Sequence, residues 1–168
     1  MSELKELMLR TPHLTLGVAE SVTCGRLQAS IGAISGASRF FVGGLTAYTL
    51  DEKVRHLGVD RATAESANSV SREVAEQMAR GACLFFNCDL ALATTGYAEP
   101  SLDWNVPQPF AWWALAHRRV KDGALGTTTE LEVLATCLDC PGLDRVPVQE
   151  RIAEAAVNGL VKYLGALR

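Results

Sequence analysis

The chain has 168 residues, of which 48% are hydrophobic and 21% are charged, and its formal net charge is −3. This balance is typical of one globular domain with a sizeable core and excludes an intrinsically disordered chain. The negative charge also argues against a dedicated nucleic-acid-binding protein, which usually carries a basic patch.

Neither a membrane span nor a secretory leader is evident in the sequence. No apolar run reaches the roughly 18–20 residues that a transmembrane helix needs. The first residues are charged and lack an apolar signal core. Five cysteines, an odd number, do not suggest a secreted disulfide framework. We therefore expect a soluble cytoplasmic protein without membrane or nucleic-acid partners.

Two cysteines, Cys137 and Cys140, have the spacing of zinc and redox motifs. A zinc site needs four ligands, and a redox pair normally opens a helix, whereas Pro141 and Gly142 follow here. We interpret the spacing as coincidental and expect neither a metal nor a cofactor.

Apolar periodicity and turn residues predict an alternation of helices and strands along the chain. Helices are predicted at 2–10, 26–34, 51–57, 71–86 and from 147 onward, and strands at 14–20, 42–48, 88–95, 110–116 and 126–136. Residues 60–69 are expected to be irregular or a short helix, and 121–123 a hairpin turn. The order predicts an α/β domain spanning residues 1–168, with a mixed sheet covered by helices on both faces.

The turn at 21–25 joins the first strand to its helix and carries hydroxyl side chains. Ligands of open α/β sheets lie at the ends of such strands, and the first N–H groups of the helix can bind an anion there. The alternative is that Ser21 or Thr23 merely caps the helix. The turn alone favours capping.

A hydroxyl nucleophile needs a base, which is usually a histidine. None of the three histidines belongs to a catalytic or metal motif, so we interpret them as structural or surface residues. Lys53 is the candidate base, in the first turn of a helix that Asp51 is expected to cap. The helix dipole would lower the Lys53 pKa, whereas Asp51 and Glu52 would raise it. Tyr48, at the end of the preceding strand, could relay a proton. The alternative is a solvated lysine and a core tyrosine.

Several segments together resemble the C-terminal domain family of the competence/damage-inducible protein CinA. The first is AESVTCG at 19–25, and the second is FVGGLTAYTLDEKVRHLGV at 41–59. Shorter matches occur at 70–71, 95–96 and 141–145, so the resemblance covers nearly the whole chain in order.

The resemblance implies a three-layer α/β/α fold, a homo-oligomer and a nicotinamide mononucleotide deamidase of pyridine nucleotide salvage. That amidohydrolase releases ammonia from the nicotinamide amide and needs no cofactor or metal. Ser21 would be the nucleophile, Lys53 its base and Tyr48 a helper. The small-molecule substrate would be bound by Thr23, Gly25, Thr95, Gly96 and Arg145.

The chain also departs from the family pattern. Cys24 stands where the family has a turn glycine. Its side chain would leave a ligand less room to approach the backbone and would disfavour a positive φ at this position. Glu99 and Asp103 place negative charge where a phosphorylated substrate would approach, and Trp104 and Trp112 add bulk. Three hypotheses stay open: an amidohydrolase acting on nicotinamide mononucleotide or a related amide, the same chemistry on an unphosphorylated amide, and a catalytically degenerate homologue that serves as a binding or interaction module.

Overall fold

The structure is a computed structural model that describes residues 2–123 and 126–167. Its helices are α1 Ser2–Leu9, α2 Arg26–Gly32, α3 Leu50–Leu57, α4 Arg61–Ser66, α5 Arg72–Phe85 and α6 Arg145–Ala166. Its strands are β1 Leu16–Glu20, β2 Phe41–Thr46, β3 Leu90–Tyr97, β4 Phe110–Gly123 and β5 Gly126–Asp139. A single 3-10 turn lies at Ala37–Arg39.

The five strands form one mixed sheet in the order β2-β1-β3-β4-β5. The strands β2, β1 and β3 are parallel, and β3, β4 and β5 are antiparallel neighbours. The chain leaves β1 towards β2 on one side and later returns to its other side as β3. Open α/β sheets bind ligands outside the carboxyl ends of the strands where the order reverses in this way. The ends of β1 and β3 therefore border the natural crevice of this fold.

Helices cover both faces of the sheet, which confirms the predicted three-layer α/β/α class. On one face α1, α2 and α6 pack on the larger aliphatic side chains of β1, β3 and β4. On the other face α3, α4 and α5 pack on a surface of small side chains. The fully buried strand residues of that surface are alanines: Ala19, Ala91, Ala93, Ala114 and Ala116. No described helix combines the length and hydrophobicity that crossing a bilayer requires.

Two predicted boundaries need correction. α3 begins at Leu50 and is capped by Thr49 instead of Asp51, because the Thr49 hydroxyl accepts from the N–H of Glu52 at 3.4 Å. The predicted hairpin turn at 121–123 lies within β4, since the strand pairing with β5 continues to Gly123. The residues that join the two strands fall outside the described part of the chain.

The last helix also starts earlier than expected. α6 begins at Arg145, so Pro147 lies inside its first turn, where the missing N–H has no partner within the helix to lose. The short helix expected in the 60–69 segment is present as α4, capped by the carboxylate of Asp60. The segment that contains α4 and the start of α6 both border the crevice at the ends of β1 and β3.

Candidate active site

A cavity of about 660 Å³ opens at the carboxyl ends of β1 and β3. Ser21 and Val22, from the turn after β1, line it together with Lys53 of α3. The loop before α5, the segment after β3 and the first residue of α6 complete its walls. Its position is that expected for a ligand site in an open α/β sheet.

Ser21 and Lys53 are in direct contact in this cavity. The Nζ of Lys53 lies 3.0 Å from the Oγ of Ser21, and the two residues are only 2% and 7% exposed. Burial disfavours the ammonium form and lowers the pKa of Lys53 from its ordinary 10.5 to about 8. A buried amine with this pKa beside a hydroxyl has the arrangement of a nucleophile and its base.

A backbone carbonyl just before α3 holds the Lys53 side chain in this orientation. Its Nζ also donates to the carbonyl of Tyr48, 3.0 Å away, so the side chain folds back over the start of its own helix. The acidic neighbours are engaged elsewhere, since Asp51 bonds Arg61 and Glu52 pairs with residues one turn further along α3. The sequence left the sign of the Lys53 pKa shift open, and burial decides it.

Glu20, the last residue of β1, has a structural function that the sequence analysis missed. Its carboxylate is fully buried and accepts from the Oγ1 of Thr23 at 2.5 Å. It also accepts from the N–H groups of Gly25, Leu27 and Gln28 at 2.9–3.0 Å. Glu20 therefore caps α2, and the predicted cap by Ser21 or Thr23 is wrong. An acid ending an apolar strand was the available signal, because a buried carboxylate must find donors.

This arrangement also corrects two predicted substrate contacts. Thr23 is fully buried and its hydroxyl bonds Glu20 and the hydroxyl of Thr94, while the N–H of Gly25 donates to Glu20. Neither Thr23 nor Gly25 lines the cavity. The N–H groups of Gly25, Leu27 and Gln28 at the start of α2 thus bind the protein's own carboxylate, and Thr23 and Gly25 build the turn that presents Ser21.

Thr95 and Gly96, which the resemblance implies as substrate contacts, line the cavity. The hydroxyl of Thr95 donates to the carbonyl of Ser69 at 2.6 Å and thereby fixes the opposite wall. Gly96 is needed because β4 passes close by. A Cβ at this position would lie 2.6 Å from the carbonyl oxygen of Phe110.

Asn68 and Ser69 also line the cavity, which was not predicted from the sequence. Both residues have positive φ, 45° and 61°, in the left-handed region that side chains rarely adopt. The Nδ2 of Asn68 donates to the hydroxyl of Tyr97 at 3.0 Å, which ties this loop to the end of β3. Backbone strain of this kind clusters at ligand sites, but the sequence gives no sign of it in advance.

Arg145 lies at the mouth of the cavity, and its two guanidinium ends are occupied. One donates to the Oε1 of Glu99 at 2.7 Å and the other to the hydroxyl of Tyr48 at 2.9 Å. The Tyr48 side chain is 51% exposed. The carbonyl of Tyr48 therefore contacts the amine of Lys53, whereas the hydroxyl of Tyr48 contacts Arg145.

The expectations for Cys24 and Trp112 are also corrected. Cys24 adopts φ 48° in spite of its side chain, is exposed and lies outside the cavity lining, so it does not narrow the approach to Ser21. Trp104 lies at the cavity edge, 49% exposed, whereas Trp112 packs against the α5 side of the sheet. The cavity stays open.

Comparisons with known proteins agree with this architecture. A CinA-like protein of Picosynechococcus is 45% identical over 96 residues, which are 57% of this chain and 23% of that protein. The chain thus spans about a quarter of the length of the curated relatives it matches. The competence/damage inducible protein CihA of Agrobacterium tumefaciens superposes with a TM-score of 0.77 at 26% identity, covering 97% of this chain and 96% of that one.

The competence damage-inducible protein A of Klebsiella pneumoniae has the same fold, with a TM-score of 0.79 at 22% identity over 99% of this chain and 96% of that one. The pattern of the CinA C-terminal domain family matches residues 1–164. The chain is therefore a member of the CinA C-terminal domain family.

Proposed function

We propose that this domain is an amidohydrolase that converts the carboxamide of nicotinamide mononucleotide, or of a related amide, to the acid and ammonia. The observation that carries the proposal is the 3.0 Å contact between the Oγ of Ser21 and the Nζ of Lys53. The pKa of about 8 at Lys53 supplies free amine near neutral pH. The homo-oligomer that the resemblance implies and the cytoplasmic location expected from the sequence remain predictions.

The first half of the reaction forms an ester with the enzyme. The Oγ of Ser21 attacks the carboxamide carbon while its proton passes to the free amine of Lys53. The carbon becomes tetrahedral and its oxygen takes the negative charge. When the C–N bond breaks, the ammonium of Lys53 returns a proton to the departing nitrogen, which leaves as ammonia.

The second half releases the acid. Water enters the place that ammonia vacated, Lys53 takes one of its protons, and the resulting hydroxide attacks the ester carbon. The bond to the Oγ of Ser21 breaks, and the serine recovers its proton from Lys53. One water is consumed, and the enzyme returns to its starting protonation state.

The shape of the cavity supports a small heteroaromatic amide as substrate. Its volume of about 660 Å³ lies within the range of roughly 300–1,000 Å³ that small-molecule sites occupy. Tyr48, Tyr97 and Trp104 line it, and their rings can pack against a flat ring. The carboxamide would then point inward to Ser21.

The degenerate binding module remains the second candidate, because one observation favours it. Arg145 is the only arginine among the described cavity-lining residues, and it is hydrogen-bonded to the carboxylate of Glu99. A substrate phosphate would need that arginine. The intact contact between Ser21 and Lys53 and the open cavity support the enzyme instead. Turnover separates the two hypotheses.

The test is the release of ammonia from nicotinamide mononucleotide by the purified chain. We expect wild-type turnover and a loss of about 10³-fold or more in Ser21→Ala, because the nucleophile is removed. Ser30→Ala is the matched control, since the Ser30 hydroxyl bonds the carbonyl of Leu27 within α2 and lies outside the cavity lining. Absence of ammonia from the wild type, with the mononucleotide and with its unphosphorylated riboside, would exclude the amidohydrolase.

A further inference from the structure

The charged side chains that line the cavity differ in how accessible they are to a ligand. Among its described lining residues, Lys53 and Arg145 are basic and Glu65 and Glu99 are acidic. Lys53 is buried against Ser21 at the closed end. Arg145 is thus the basic group that a ligand meets at the mouth.

Arg145 is already held by the protein on both of its ends. The Oε1 of Glu99 is 2.7 Å from Nη1, and the hydroxyl of Tyr48 is 2.9 Å from Nη2. A phosphate binds arginine best through two parallel hydrogen bonds from the guanidinium fork. To bind in that way here, it would have to displace the Glu99 carboxylate while lying beside its negative charge.

Local structure keeps Glu99 in place. Ala98, directly before it, is buried, and Pro100, directly after it, restricts its backbone to extended conformations. The chain then closes a small hairpin in which Ser101 and Val106 exchange backbone hydrogen bonds of 2.9 and 2.8 Å. Glu99 is therefore presented to Arg145 by a fixed segment.

We propose that Glu99 determines substrate specificity by holding Arg145, so that the site favours carboxamides without a phosphate group. This inference rests on the proposed function and narrows its substrate class. A neutral or cationic amide meets a mouth whose arginine is neutralised by Glu99 and where Trp104 offers a ring face. A ring bearing a positive charge gains from that ring face.

The test compares the binding of two ligands that differ by one phosphate, nicotinamide mononucleotide and the corresponding riboside. Calorimetry is done on Ser21→Ala protein, so that neither ligand is consumed. We expect the riboside to bind more tightly than the mononucleotide. Adding Glu99→Gln should tighten the mononucleotide by roughly fivefold and change the riboside less than about twofold, as expected for removal of a partly exposed charge.

Asp103→Asn is the matched control, because it removes one acidic charge from the same loop but Asp103 does not line the cavity. It should change the ratio of the two affinities by less than about twofold at physiological salt, because Asp103 is exposed to solvent and salt weakens the effect of exposed charges. An equal change in Asp103→Asn and Glu99→Gln would mean that general loop charge, and not the contact with Arg145, sets the preference.

Three results would overturn the inference: tighter binding of the mononucleotide than of the riboside, an unchanged affinity ratio in Glu99→Gln, or binding of neither ligand. Failure of the proposed function is recognised separately. It is the absence of ammonia release by the wild-type chain, which leaves the affinity ratio measurable in the Ser21→Ala background.

Discussion

At the scale of single residues, the Glu20 carboxylate organises the turn that carries Ser21. It gathers one hydroxyl and three N–H groups of the 23–28 segment, and the carbonyl of Glu20 accepts from the N–H of Ala47 at 2.9 Å. Ser21 follows directly, with its own N–H bonded to the carbonyl of Thr94 at 2.9 Å. Ser21 is thus fixed on both sides by hydrogen bonds.

Replacing Glu20 should therefore destabilise the protein. In Glu20→Gln the side chain keeps its shape but exchanges an acceptor oxygen for an NH₂ group that faces backbone donors. We expect the free energy of unfolding to fall by about 2–4 kcal/mol, since hydrogen bonds to a charged group contribute roughly 1.5–3 kcal/mol each and buried donors are left unpaired. Urea denaturation measures the loss.

Glu150→Gln serves as the control for this change, because Glu150 is an exposed acid on α6. It should alter the free energy of unfolding by no more than about 0.5 kcal/mol. A Glu20→Gln variant as stable as this control would show that the carboxylate is not what holds the turn.

At the residue level the turn alone favoured helix capping, and it was the family resemblance that paired Ser21 with Lys53. A serine in a strand-to-helix turn and a lysine beginning a helix are the kinds of residue that a site without a catalytic histidine needs, and the structure brings Ser21 and Lys53 into contact. The function of Glu20 was missed because it depends on where four donors point. The same holds for Thr23, whose hydroxyl faces inward instead of towards a substrate.

At the scale of elements, the close approach of α3 and α5 places Lys53. A Cβ built on Gly81, in the middle of α5, would lie 2.0 Å from the carbonyl oxygen of Leu57 at the end of α3. That oxygen is backbone and cannot move aside without moving the helix. Gly81 therefore permits the two helices to touch, and their contact sets where α3 presents its lysine.

We expect Gly81→Ala to lower the free energy of unfolding by about 1–3 kcal/mol, the usual range for overpacking, and to reduce ammonia release because α3 shifts. Gly165→Ala is the matched control, since this exposed glycine of α6 has open space around its would-be Cβ. It should be neutral or stabilising by up to about 1 kcal/mol. Equal effects of the two substitutions in denaturation would contradict the packing account.

Helices and strands were predicted well where the spacing of neighbouring residues marks them, and less well where pairing with a distant strand sets their length. The apolar spacing of Val74, Met78 and Ala82 was enough to find α5 within a residue or two of its ends. The length of β4 was underestimated because its last residues pair only with β5 and carry Arg118, Arg119 and other polar side chains that resemble a turn. That pairing is a tertiary fact that local composition does not contain.

At the scale of the whole molecule, the topology brings separate pieces of sequence to one crevice. Residues from the turn after β1 and from α3, β3 and α6 meet where the strand order reverses, although they span positions 21 to 145. The α/β class and its mixed sheet followed from the alternation of elements. The details of the mouth, including the Glu99 contact with Arg145, depend on loop geometry and became visible only in the structure.

The central claim is that Lys53 acts as the base for Ser21, and the pH dependence of ammonia release tests it most directly. Burial lowers the pKa of Lys53 from 10.5 to about 8, so the free amine, the form that accepts a proton, forms as pH rises through about 8. The rate should rise about tenfold between pH 7 and pH 9. Lys53→Met, which has no base, should lack this rise and release little ammonia.

The decisive measurement is therefore kcat/KM for ammonia release from pH 6 to pH 9 in the wild type and in Lys53→Met. If Lys53 is the base, the profile has an ascending limb with its midpoint near pH 8 that disappears with the lysine. A wild-type profile that is flat across this range, or a Lys53→Met variant with wild-type rates, would contradict this expectation.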